Sequence, residues 1–424
     1  MRIATSTFID PDRNGVYGAL AVALSFFVFA YSARFGQISI LAYYGVWLPL
    51  VLLDYRQVLG NPLRYLWMFA FAVFCFISVF WSPAPSISLR TAIQYLSHLV
   101  CAVIALRTIS IATLTRGATL GCAIVLTYSL LFGSYHFDPL DGTYSFVGAF
   151  ASKNQLGFYA SLGLIFAYAG VAVIRSSLRW LPVAAATVLL SAYSLFASQS
   201  ATSVITTLAI LMVVVGLQLL GRFTPPMRKL LFASGLVIGV IGVTLALGMG
   251  AADAVLGVFG KDSTLTGRTY LWQQGIEAAR QSPVFGVGYQ GYWVRGFPEA
   301  ERLWEEFYID SRGGFHFHNT YIETMVETGA VGTVLLCAIL LASFIGHLKH
   351  LLHHRRNPDA LVMFAVISLL LVRSFVEIDV MHPYHVGSFL FYITAGTLTL
   401  RQRVGSRPML RPVRIHPMSA GAAG

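Results

Sequence analysis

Apolar stretches of about 20 residues recur along nearly all of this chain, and as a helix each is long enough to cross a hydrocarbon core of about 30 Å. Composition agrees: 56% of the 424 residues are hydrophobic and 11% are charged, against roughly a quarter charged in soluble domains, and mean hydropathy is +0.70. Lipid is therefore the solvent for most of the chain, and in lipid only helices or closed barrels satisfy their own backbone. These runs are continuously apolar, whereas barrel strands alternate over about 10 residues. The expected fold is all-α, a polytopic transmembrane bundle of about 12 spans, near residues 16–34, 37–53, 63–81, 92–106, 117–133, 154–174, 180–197, 201–221, 230–249, 321–346, 360–376 and 385–400. The resulting organisation is nine spans in 1–249, a large outer loop with short helices in 250–320, three spans in 321–400, and a basic tail in 401–424.

Residues 1–15 are polar and no small-residue cleavage site follows the first apolar run, so that run is expected to stay as a span rather than leave as a signal peptide. Cys75, Cys101, Cys122 and Cys337 all fall in apolar stretches, which argues against disulfides and thiolate metal sites. With the N-terminus placed inside, 19 of the 29 Lys and Arg residues fall on inner connections and the tail, leaving 10 outside. That bias accounts for the net charge of +11 and directs it at anionic lipid headgroups, not at nucleic acid. The His-rich stretch from His347 to Arg356 reads as a solvated inner hairpin.

The cations outside carry the functional signal. Arg90, Lys153, Arg268 and Arg373 stand at span ends or in the large loop, where a cation near hydrocarbon normally has a partner or a task. Thr266 is in position to cap a helix running to about Ala279, and the guanidinium of Arg268 beside its N–H groups suits a phosphate or diphosphate; the alternative pairs Arg268 with Glu277 or leaves it facing water. Lys153, next to Asn154, also reads as a snorkelling residue. His316 and His318 precede a span on which Asn319, Glu323 and Glu327 share one polar face. His318 is a candidate general base or a satisfied interfacial histidine; a His-x-His metal pair lacks further ligands, so no metal and no cofactor are expected. Gly286-Val287-Gly288-Tyr289-Gln290-Gly291 matches GxGxxG, but no βαβ unit surrounds it; a glycine-rich outer loop is the better reading, with Tyr289 and Trp293 placed to stack on sugars or to anchor the loop.

Order and spacing of three pieces resemble the superfamily of O-antigen ligases and O-antigen or exopolysaccharide polymerases over roughly residues 60–400: Leu265-Thr266-Gly267-Arg268, then Pro283 to Tyr289, then His318-Asn319-Thr320-Tyr321-Ile322-Glu323 with Glu327-Thr328-Gly329. Trp81-Ser82 with Arg90, and Ser152-Lys153-Asn154 with Gly157, look most like the exopolysaccharide-polymerase branch. One stretch departs: ligases commonly carry an arginine after the outer end of the seventh span, where this chain reads Ser198-Gln199-Ser200-Ala201-Thr202-Ser203.

The resemblance implies a GT-C-like, metal-independent glycosyltransferase of the bacterial inner membrane with its site facing the periplasm. Its donor would be an undecaprenyl-diphosphate-linked glycan, its acceptor a glycan or lipid A core, and its partners membrane lipids and a chain-length regulator. His318, Arg268 and Glu323 are then the expected catalytic residues; Arg268, Lys153, Arg90 and Arg373 bind diphosphate; and Asn154, Asn319, Tyr289, Trp293 and Glu327 bind glycan or acceptor. A secondary transporter is the alternative from another class, but no repeated halves with broken midplane helices are visible. A scaffold without catalysis is the third.

Overall fold

A computed structural model describes residues 4–138, 143–251, 257, 267–354 and 357–401. The expected cap Thr266, with Leu265, Lys261, Arg355, Arg356 and the tail beyond Arg401, lies outside the described residues. Helices dominate. They are α1 (Val16–Trp47), α2 (Leu66–Ile77), α3 (Pro85–Thr108), α4 (Ile111–Phe132), α5 (Lys153–Tyr168), α6 (Leu181–Ser198), α7 (Ala201–Leu220), α8 (Pro225–Gly248), α9 (Arg268–Gln281), α10 (Pro298–Glu306), α11 (Thr320–His353), α12 (Pro358–Arg373) and α13 (Val386–Arg401). Ser, Asn or Pro opens many of them: Ser110, Ser152, Ser200, Asn319 and Asn357 accept from first-turn amides, and Pro85, Pro225 and Pro358 sit in first turns.

Nine segments among the described residues are long and apolar enough to cross a membrane. The first of them, Val16–Leu53, contains two of the expected spans, because α1 turns at Gly36 (φ 63°) and folds back on itself. Tyr17 Oη donates to the Val46 carbonyl at 2.5 Å, Trp47 Nε1 to Ser25 Oγ at 2.9 Å, and the Phe29 and Tyr43 rings lie 4.9 Å apart. The last two expected spans are the 16-residue helices α12 and α13, about 24 Å long each. α12 is buried on almost every face, packed against α7, α11 and α13. By contrast α8 buries only Arg228, whose guanidinium donates to the carbonyls of Leu351, His354, Gly221 and Phe223 and so ties this otherwise lipid-facing helix to the end of α11.

One element was not expected. β1 (Ser134–Asp138) and β2 (Thr143–Gly148) form an antiparallel hairpin in the connection before α5, in which Tyr135 pairs with Phe146 and its ring stacks diagonally on Tyr144 at 5.3 Å.

The large loop docks by entering a helix. α11 breaks at Gly329 (φ 61°), which frees the carbonyls of Val326 and Glu327 and the amides of Ala330 and Val331 that a regular helix would pair. Val287 N and Gly288 N donate to those two carbonyls at 3.0 and 2.8 Å, and the two amides donate to Pro283 and Val284 carbonyls at 2.9 and 3.2 Å. All four groups are thereby satisfied, which is the condition for irregular backbone beside a membrane span. Gly286 and Gly288 (φ 68° and 108°) let the strand approach Glu327 and Ser82, where a Cβ would collide. The GxGxxG sequence is thus a docking segment, and Trp81-Ser82 is part of its seat. Gly329→Ala puts a methyl into the Val284 carbonyl and is expected to cost on the order of 3 kcal/mol, read as a lower melting temperature in detergent. Gly216→Ala on α7, with open space around it, should leave melting unchanged or raise it.

Candidate active site

The N-terminus of α11 grips the connection that follows α12. Asn319 caps α11 through Oδ1 and donates through Nδ2 to the Phe375 carbonyl at 2.9 Å; Thr320 donates from N to Ser374 O (2.8 Å) and from Oγ1 to Glu377 O (2.6 Å). These bonds carry Glu377 to the residue before the cap, His318.

Glu377 is the hub. Its Oε1 accepts from Arg268 Nη2 at 3.0 Å and from Asn154 Nδ2 at 2.8 Å, while Oε2 lies 3.6 Å from His318 Nδ1. Arg268 is the first residue of α9, follows Gly267 at φ 78°, and donates through Nη1 to the Val376 carbonyl at 3.0 Å. Glu277 pairs with Arg280 at 3.1 Å, so the alternative pairing considered for Arg268 does not occur. Asn154 sits in the first turn of α5 and accepts from Ser200 Oγ at 2.9 Å.

Side chains of Glu377, Arg268 and His318 are 9%, 15% and 26% exposed, so the cluster is recessed but the imidazole is reachable. Burial pushes the Glu377 carboxyl up, yet the His318 imidazole and the Arg268 and Arg373 guanidinium groups outweigh it and hold the group well below the ordinary carboxylate range. Its charge therefore stabilises the fold above that range, and the contribution is lost only as pH falls through the depressed value. Burial, reinforced by His318, drives His316 well below the usual imidazole range. A neutral His316 then accepts the His318 amide on Nδ1 at 3.1 Å. His318 itself has φ 51°, a left-handed conformation uncommon for a non-glycine residue and concentrated at functional positions.

Other expected site residues act at one remove. Glu323 accepts from Trp293 Nε1 and Phe317 N, both at 2.8 Å, and so fixes the segment carrying His318 without touching the ring. Glu327 receives Gln290 Nε2 at 3.4 Å. Lys153, the first residue of α5, is half-buried beside Asn154.

Three residues are not brought to the cluster as open ligands. Tyr289 has no exposed surface and donates its hydroxyl to Met381 O at 2.6 Å, so it anchors the loop and offers no face to a sugar. Arg90 is exposed on α3 and pairs with no described residue. Arg373 is 1% exposed: it donates from Nε to Asp379 at 2.5 Å and from Nη1 to Ser203 Oγ at 3.3 Å, and lies 4.2 Å over the Phe158 ring. It acts on Glu377 through its charge alone. In the stretch that lacks the ligase arginine, Ser200 thus donates to Asn154 and Ser203 accepts from Arg373. Glu377 and Asp379 were missed by the sequence reading, and the one signal for them was two acids four and six residues beyond Arg373.

Glu377 supplies the third donor that the His316 and His318 pair lacked, with all donor atoms within 4.8 Å of one another. Ligands on tetrahedral zinc sit about 3.4 Å apart, so a cation would have to contract the set. Arg268 is bonded to Glu377 Oε1, while Oε2 is the oxygen that faces His318. The arrangement suits proton transfer at His318 beside a fixed positive charge.

Residues 185–337 match the family described as O-Antigen ligase. The Exopolysaccharide production protein ExoQ of Rhizobium meliloti (strain 1021) is 61% identical over 421 residues, 99% of this chain and 97% of that protein. An uncharacterized protein of Haemophilus influenzae is 23% identical over 135 residues, 32% of this chain and 29% of its own.

Proposed function

The chain belongs to the superfamily of O-antigen ligases and O-antigen or exopolysaccharide polymerases, and from that premise we propose that it polymerises glycan units carried on undecaprenyl diphosphate at the periplasmic face of a bacterial inner membrane. The observation that carries the mechanism is one carboxylate, Glu377, shared by Arg268 and His318.

An acceptor hydroxyl attacks the anomeric carbon of the donor, its proton passing to His318, and the bond from that carbon to the diphosphate oxygen breaks. Glu377 stabilises the imidazolium that forms, as a buried acid does for a catalytic histidine. The diphosphate departs as an anion and needs no general acid. Arg268 uses two of its bonds on Val376 and Glu377, leaving three of the five N–H donors of a guanidinium for phosphate oxygens. As Glu377 turns its charge toward the imidazolium, that of Arg268 becomes available to the leaving group. Lys153 adds a second cation, Asn154 and Asn319 hold Glu377 and the segment beside His318 through the bonds already described, and the Trp293 ring positions the sugars. An apolar cavity of about 360 Å³ between α9 and α11, walled by Ile276, Pro283, Ile322 and Met325, offers a lane for the polyprenyl chain.

Polymerisation is preferred to transfer onto lipid A core because of the serines where ligases carry arginine and because of the name of the 61% identical relative. Proteoliposomes holding undecaprenyl-diphosphate-linked repeat units as the sole sugar source should yield a ladder of longer chains and free undecaprenyl diphosphate, at a rate a metal chelator does not change. Product only on adding lipid A core would make the protein a ligase. A chelator-sensitive ladder would overturn the metal-free mechanism, and no product with either acceptor would overturn glycosyl transfer.

A further inference from the structure

At the other end of α5 from Asn154, about 24 Å away at 1.5 Å per residue, the helix loosens into a π-turn over Ala169–Val173. Ile174 N reaches back to Ala169 O at 2.8 Å and Ser176 N to Gly170 O at 2.9 Å. Arg175 sits between them at φ 56°, the left-handed position that closes a helix and that glycine usually takes. The turn opens a cavity of about 250 Å³ between α4, the end of α5 and the start of α6.

Its walls are unusual in two respects. Arg116 and Arg175 both line it, and neither forms an ion pair with a described residue; Arg116 makes one long bond, from Nε to Ser176 Oγ at 3.5 Å. No carboxylate among the described residues lines it. Val171, Leu178 and Leu181 on its rim are 48%, 84% and 48% exposed, so the opening is continuous with the surface that meets acyl chains, and Trp180 stands beside it as interfacial tryptophans do. Two guanidinium groups with no counter-charge among the described residues, at the head of an apolar slot, fit a ligand with an anionic head and an apolar tail.

We propose that this cavity binds an anionic phospholipid, the phosphodiester held by Arg116 and Arg175 and an acyl chain laid across Val171, Leu178 and Leu181. The chemistry is that of basic pockets between helices at the arginine-rich side of membrane proteins, and the site is separate from the cluster at Glu377.

The test uses purified full-length protein in detergent, probed with dioleoyl phosphatidylglycerol, dioleoyl phosphatidylcholine and inorganic phosphate. Native mass spectrometry counts bound lipid, and melting temperature reports its effect. Phosphatidylglycerol should bind and stabilise, and phosphatidylcholine and inorganic phosphate should do neither at equal concentration. Arg116→Gln and Arg175→Asn, the latter tolerant of the left-handed backbone, should each weaken phosphatidylglycerol binding about fivefold. Should either variant melt lower without lipid, Arg175→Gly, which relieves the backbone, gives the same reading. Equal binding of phosphatidylglycerol by native protein and variants, or of both lipids by native protein, overturns the site. The same stabilisation by inorganic phosphate alone overturns the lipid and leaves a free-anion pocket.

Discussion

Replacing His318 by asparagine is expected to slow chain lengthening by about 10²- to 10⁴-fold, the range that a positioned general base contributes, while leaving the melting temperature within a few degrees of the native value. Asparagine tolerates the left-handed backbone that His318 occupies at φ 51°, so the substitution removes the base without adding strain. The imidazole has no hydrogen-bond partner at Nδ1 closer than Glu377 Oε2 at 3.6 Å, and losing it breaks no short bond. Initial rates in proteoliposomes together with thermal unfolding separate the two effects. A variant that lengthens chains at the native rate would remove His318 from the chemistry.

Glu377→Gln is the second large effect, and it differs in kind. Glutamine keeps an oxygen for Arg268 and Asn154 but loses the charge that both Arg268 and an imidazolium need. The rate should fall on the order of 10²-fold, and stability should fall by about 2 kcal/mol because a recessed guanidinium loses its counter-charge. The pH profile supplies the signature. In the native protein the depressed carboxyl makes stability decline as pH falls through the acid range, and in the variant that limb should flatten. A variant as stable as native protein with an unchanged acid limb would show that the carboxylate is not ionised in the fold.

Much of the membrane architecture was legible because a span must be apolar over a fixed length, a constraint written locally. The turn at Gly36 inside α1 and the position of α12 followed from run lengths alone. Arg268 stood out because positive-inside bias gave no reason for a cation there, and His318 because it precedes a span on which Asn319, Glu323 and Glu327 share a polar face. Glu377 was not legible, since an acid in an outer connection is ordinary until its partners, 109 residues away at Arg268 and 223 away at Asn154, are known. For Arg373 the sequence shows the charge, and only the fold shows its pairing with Asp379. For Tyr289 the sequence leaves stacking on sugars and anchoring the loop both open, and the fold buries the ring where the loop enters the break at Gly329. The β-hairpin before α5 is not legible in the sequence because its strands are five and six residues long, too short for alternation to stand apart from chance.

The central claim is that the imidazole and the carboxylate work as one unit, and a double-mutant cycle tests it most directly. His318→Asn and Glu377→Gln, alone and combined, are compared by the rate at which purified protein in proteoliposomes extends lipid-linked repeat units. If Glu377 acts in large part by stabilising charge on His318, the combined loss stays at least about tenfold short of the product of the single losses. A combined loss equal to that product would mean the two groups act independently, and the shared-carboxylate mechanism would be wrong.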